Sequence, residues 1–117
     1  LCGSNADEVF DPVPITDIRK AIRDSLPTLL GEATGDERNV VLTLSRMWLT
    51  AATGDIAPKD LAAIWAERQA PSSHAMLLKY AREGYLGKIE DRWEEKQNDF
   101  ETLVSYMKKT IEALLEA

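Results

Sequence analysis

From residue 15 onward, apolar positions recur mainly at steps of three and four, the period of helices that bury one side. Ile15, Ile18, Ile22, Leu26 and Leu29 form the first such stripe and predict a helix over about residues 16–30. Thr16 or Asp17 caps it, and Pro27 is expected to kink it or end it early. Residues 31–35 form a loop. A second helix is predicted over 36–53, with Asp36 as N-cap and Gly54 as its stop. Pro58 opens a third helix that reaches about residue 69. After Pro71-Ser72-Ser73, a fourth covers about 73–86 and is stopped by Gly87. The last is expected from Ile89 or Glu90 to Leu115, with Trp93, Phe100, Leu103, Val104, Met107, Ile111 and Leu114 on its apolar side. Val40-Val41-Leu42 is too short for a strand and lies inside a helical pattern. The fold class is therefore all-α, a five-helix antiparallel bundle over 15–117. Residues 1–14 read as an extended lead-in, closed by Asp11-Pro12-Val13-Pro14.

The second helix carries the most information. Val40, Val41, Leu42, Leu44, Met47, Trp48, Leu49, Ala51 and Ala52 cover more than half of its circumference, so neighbours should surround it. Asp36, Asn39, Thr43, Arg46 and Thr50 share the remaining arc, roughly 80° wide. A solvated stripe is normally rich in Lys and Glu, whereas this one holds short hydrogen-bonding groups and one Arg. An inward-facing Arg needs an anion, because an unpaired buried charge is costly. Spacing alone leaves two partners open, a carboxylate that knits two helices or a ligand phosphate. Lys59 stands in the first turn of the third helix, against the helix dipole. An exposed lysine at a helix start is nonetheless common. Tyr80 and Tyr85 read as core or boundary aromatics, Trp48, Trp65 and Trp93 as core residues, and His74 as a surface residue.

Composition narrows the classes. The 117 residues fit one domain, 44% are apolar, and no window approaches the ~18 apolar residues of a membrane span. The first residues have neither the basic nor the apolar region of a signal peptide. The chain does not begin with Met, which suits a piece of a longer protein. A single cysteine, Cys2, excludes an internal disulfide and suits a reducing cytoplasm. Twenty acidic against fourteen basic residues, net −6, argue against a nucleic-acid partner and favour cationic ones. One His and one Cys make a zinc site implausible. The acidic group Glu90, Asp91, Glu94 and Glu95 reads as a solvated helix start. No phosphate-binding glycine loop or nucleophile motif occurs, so no catalytic residue is expected in this chain.

A resemblance adds a function to that frame. The run Gly35-Asp36-Glu37-Arg38-Asn39-Val40-Val41-Leu42-Thr43-Leu44-Ser45-Arg46-Met47-Trp48 is very similar to a signature of the spectinomycin/streptomycin adenylyltransferases. Thr53-Gly54-Asp55-Ile56-Ala57-Pro58-Lys59-Asp60 and Tyr85-Leu86-Gly87 match further along, in the same order. Phe10-Asp11-Pro12-Val13-Pro14 resembles the passage between that family's two domains. The likeness runs from about Glu8 to the end.

The resemblance implies a two-domain enzyme that transfers AMP from ATP to a drug hydroxyl in an interdomain cleft. The N-terminal nucleotidyltransferase domain, which holds the Mg²⁺ and the catalytic carboxylates, would be absent from these residues. Partners would be that domain, ATP and a cationic aminoglycoside, with neither nucleic acid nor membrane. Asp36 matches the family's acidic drug contact, with Glu37 beside it. Arg46, Lys59 and Tyr85 match its ATP contacts. Some members have His where this chain has Asn39, which keeps hydrogen bonding and loses charge. Members that accept streptomycin place a Trp and an acidic residue in the preceding loop. Here Glu32 supplies the acidic group and no Trp is present, so spectinomycin or another cationic substrate is expected ahead of streptomycin. Two alternatives stand beside this: a helical ligand-sensing or interaction domain, and a nucleotidyltransferase half with a non-antibiotic substrate.

Overall fold

A computed structural model describes residues 15–31 and 33–116. The lead-in, Cys2 and Glu32 lie outside the described residues. Those described form five α-helices and no strand: α1 (Ile15–Gly31), α2 (Glu37–Thr53), α3 (Lys59–Gln69), α4 (Ser72–Tyr85) and α5 (Gln97–Leu115), with a single 3-10 turn at Glu94–Lys96 before α5. The all-helical expectation holds.

Helix α2 is the hub and packs against all four other helices. Val40, Val41, Leu42, Leu44, Trp48, Leu49 and Ala51 are buried on it. Ser45 is enclosed among them. Its hydroxyl donates to the Val41 carbonyl at 2.9 Å, which removes the cost of an orphan polar group. Ala52 departs from the expected apolar arc and is exposed. Gly54 ends the helix in the left-handed region (φ 80°) and donates its N–H to the Thr50 carbonyl, a conformation that a side chain would disfavour.

From α4 and α5, Leu78, Leu103, Met107 and Ile111 fill the space beside α2 and are fully enclosed. Burying each such side chain contributes about 1.5–3 kcal/mol. Trp48 sits between Trp65 and Tyr106 in two edge-on ring contacts at 5.3 and 5.9 Å. Arg82 of α4 grips Glu67 of α3 through two hydrogen bonds, at 2.7 and 3.2 Å. That hydrogen-bonded carboxylate, with its charge, holds the Arg82 guanidinium above its usual pKa despite burial. A carboxylate pair that knits two helices thus exists in this fold, but its Arg is Arg82 and not Arg46.

Two helix starts correct the sequence reading. Helix α1 begins at Ile15, so Thr16 and Asp17 lie within its first turn rather than capping it. Its other end, at Gly31, agrees with the predicted range, so Pro27 does not end it early. Helix α5 begins at Gln97, about two turns later than expected, because the preceding segment is claimed by distant side chains. The Tyr80 hydroxyl donates to the Arg92 carbonyl and accepts from the Arg92 amide. Those two groups are therefore satisfied outside any helical ladder. Trp93 is buried as expected, though ahead of the helix, edge-on to Tyr80 and Phe100.

Candidate functional site

The open edge of α2 starts at its N-terminus. Asp36 occupies the N-cap position, yet its carboxylate makes no capping hydrogen bond. Its Oδ2 instead accepts from Asn39 Nδ2 at 3.1 Å, one turn along. Asn39 Oδ1 in turn accepts from Lys59 Nζ at 2.6 Å. Asp36, Asn39 and Lys59 therefore form one chain of hydrogen bonds that crosses from α2 to the start of α3. The orientation of the Asn39 amide follows, since only its oxygen can face an ammonium.

Further along the edge, Thr43 and Thr50 are half-buried and Arg46 is exposed. Thr50 Oγ1 donates to the Asp55 carbonyl at 2.8 Å. The chain from Asp55 to Lys59 thus meets the edge at Thr50 and again at Asn39, bracketing Arg46. Arg46 is two turns from Asn39, about 10 Å along the axis. It makes no ion pair with any described residue, so the inward-facing Arg expected from spacing is corrected: its charge is left to solvent or to a ligand. Tyr85, at the end of α4, is 48% exposed and is therefore no core aromatic.

The N-terminal end of α2 also forms one wall of a cavity of about 660 Å³, opposite the segment that leads into α5. Asp36, Glu37, Arg38 and Asn39 line one side, with Asp91, Arg92, Trp93, Glu94 and Gln97 on the other. Four carboxylates face two guanidiniums there, so the cleft favours a cation. The carboxylates differ in freedom. Asp91 is spent, because its Oδ1 accepts from Arg38 at 3.0 Å and its Oδ2 from the Trp93 indole at 2.8 Å. Glu37 Oε2 accepts from Gln97 Nε2 at 2.9 Å. Asp36 gives one oxygen to Asn39 and keeps the other.

The far wall was not legible in sequence. Asp91 lies 53 positions from Arg38 and Gln97 lies 60 from Glu37, and the local pattern at 90–95 resembles any acidic helix start. Asp91 corrects that reading, since only 11% of its side chain is exposed. Gly84 carries a usable signal. A Cβ there would stand 2.5 Å from Asp91 Cγ, so only glycine lets the segment close over α4. Among the described residues, no group of three or more His, Cys, Asp or Glu side chains could hold a metal ion. No helix among them is long and apolar enough to cross a membrane.

Comparison with known proteins gives this geometry a context. The family model for the aminoglycoside adenylyltransferase C-terminal domain matches residues 8–110. A spectinomycin 9-adenylyltransferase of Staphylococcus aureus is 50% identical over 115 residues, 98% of this chain and 44% of the relative. An aminoglycoside (3'') (9) adenylyltransferase of Escherichia coli is 46% identical over 114 residues, 95% of this chain and 43% of the relative. The crystal structure of spectinomycin adenyltransferase AAD(9) from Enterococcus faecialis, with ATP and spectinomycin, superposes with a TM-score of 0.80 at 31% identity. It covers 96% of this chain and 44% of that one. The chain thus spans less than half the length of the relatives it matches.

Proposed function

The chain belongs to the aminoglycoside adenylyltransferase C-terminal domain family, and from that premise we propose that it is the ligand-binding half of an enzyme that transfers AMP from ATP to a hydroxyl of spectinomycin. One observation carries the reading. A single hydrophilic edge of α2 runs from an acidic cleft at Asp36 to the cations Lys59 and Arg46. That order suits a cationic drug at one end and a polyphosphate at the other.

Asp36 is proposed as the principal drug contact, with Glu37 and Asn39 beside it and Glu32 in the preceding loop. Arg46 and Lys59 hold the phosphates, and Tyr85 offers an exposed ring and hydroxyl to the nucleotide. The proposed partner is an N-terminal nucleotidyltransferase half, which carries the catalytic groups and the Mg²⁺ that accompanies ATP. This half supplies binding and orientation, so alone it should turn nothing over. An antiparallel sense for the bundle, supported by the two-residue link between α3 and α4, and a cytoplasmic location complete the proposal.

The test uses the full-length protein, incubated with ATP and spectinomycin, and with ATP and streptomycin. Mass spectrometry should find AMP joined to spectinomycin, with pyrophosphate released. Absence of any adenylylated spectinomycin would overturn the proposal, and the streptomycin arm decides how much the missing loop Trp matters.

A further inference from the structure

We infer that Asn39 is a positioning residue for Lys59, holding the ammonium where it meets nucleotide phosphate. The inference rests on the reading of Lys59 as a nucleotide contact and goes beyond it, giving Asn39 a second role beside the drug contact proposed above.

A lysine in the first turn of a helix is poorly placed by itself. The positive end of the α3 dipole repels it, and its four-carbon stem has many rotamers to lose on binding. Asn39 counters both effects. Its Oδ1 lies 2.6 Å from Lys59 Nζ, and the contact is half-buried between α2 and α3. Its Nδ2 is held by Asp36 at 3.1 Å, so the amide cannot turn over without breaking both bonds. An ammonium has three N–H groups. With one on Asn39, two remain for phosphate oxygens, and Lys59 is already on the edge that carries Arg46. A phosphate then binds a lysine whose position is set beforehand.

A double-mutant cycle in the full-length enzyme tests this. Lys59→Met and Asn39→Leu should each raise the KM for ATP about tenfold, the scale of one charged hydrogen bond. Combined, the two changes should cost no more than Lys59→Met alone, because Asn39 has nothing left to position. Additive effects, or a rise confined to the KM for spectinomycin, would leave Asn39 with its drug contact alone and overturn the inference. An unchanged KM for ATP in Lys59→Met would instead remove the nucleotide reading itself. Thermal melting of each variant reports folding, and if Asn39→Leu does not fold, Asn39→Ser replaces it in the same cycle.

Discussion

The carboxylate of Asp91 occupies the space that a side chain on Gly84 would need, with Cγ 2.5 Å from the Cβ position. Arg38 bonds both partners, donating to the Gly84 carbonyl at 3.1 Å and to Asp91 at 3.0 Å. This close approach fixes one wall of the cleft. Gly84→Ala should gain about 1 kcal/mol of helix propensity and lose more to overpacking, for a net loss of about 1–2 kcal/mol. Urea denaturation measures it. In an Asp91→Gly background, which removes Cβ together with the carboxylate, the same change should cost nothing, and a persistent loss there would refute the steric account.

Glu67 and Arg82 are mostly covered, with 17% and 16% of their side chains exposed. Glu67→Ala leaves a guanidinium without its partner between α3 and α4 and should destabilise by about 1.5–3 kcal/mol. The Arg82 pKa is raised by the Glu67 hydrogen bond, so the folded state holds the proton more tightly than the unfolded chain. The guanidinium's contribution is therefore complete at neutral pH and disappears only in strong alkali. The penalty of Glu67→Ala, from denaturation at pH 7 and at pH 9, should be the same.

Arg46 is exposed and makes no ion pair with a described residue, so Arg46→Ala should change stability by less than about 0.5 kcal/mol. In the full-length protein it should weaken ATP binding by about 1.5–3 kcal/mol by calorimetry. Equal ATP affinity in wild type and variant would remove Arg46 from the nucleotide site.

Asp36→Asn keeps the shape of the cleft and deletes one negative charge. Spectinomycin affinity should fall about twofold to fivefold, the worth of an exposed ion pair, and the loss should shrink as salt is raised. ATP affinity should hold. A drug affinity indifferent to this change would move the cation elsewhere in the cleft.

The helices and the edge of α2 were readable from the chain because both are local. Periodicity of three and four states which side of a helix is buried, and a helix that is apolar nearly all round must be enclosed. The residues left over, Asp36, Asn39, Thr43, Arg46 and Thr50, then share one arc, although spacing read its Arg as inward-facing where the structure leaves Arg46 exposed. Pro58, Gly54 and Gly87 mark ends for backbone reasons that hold in any context. The resemblance added ligands to this edge, which spacing by itself could not name.

What joins distant parts was invisible until the chain was folded. No local rule says that the Tyr80 hydroxyl will take the backbone of Arg92 and delay α5 by two turns. None says that Asp91 will pair with Arg38 rather than face water, or that Lys59 will reach across to Asn39. Each is a competition between a nearby partner and one that only tertiary packing supplies, and such contests are settled by which groups burial leaves unsatisfied. Sequence determined the elements and the polar edge; packing decided which of its charges are spent and which stay open to a ligand.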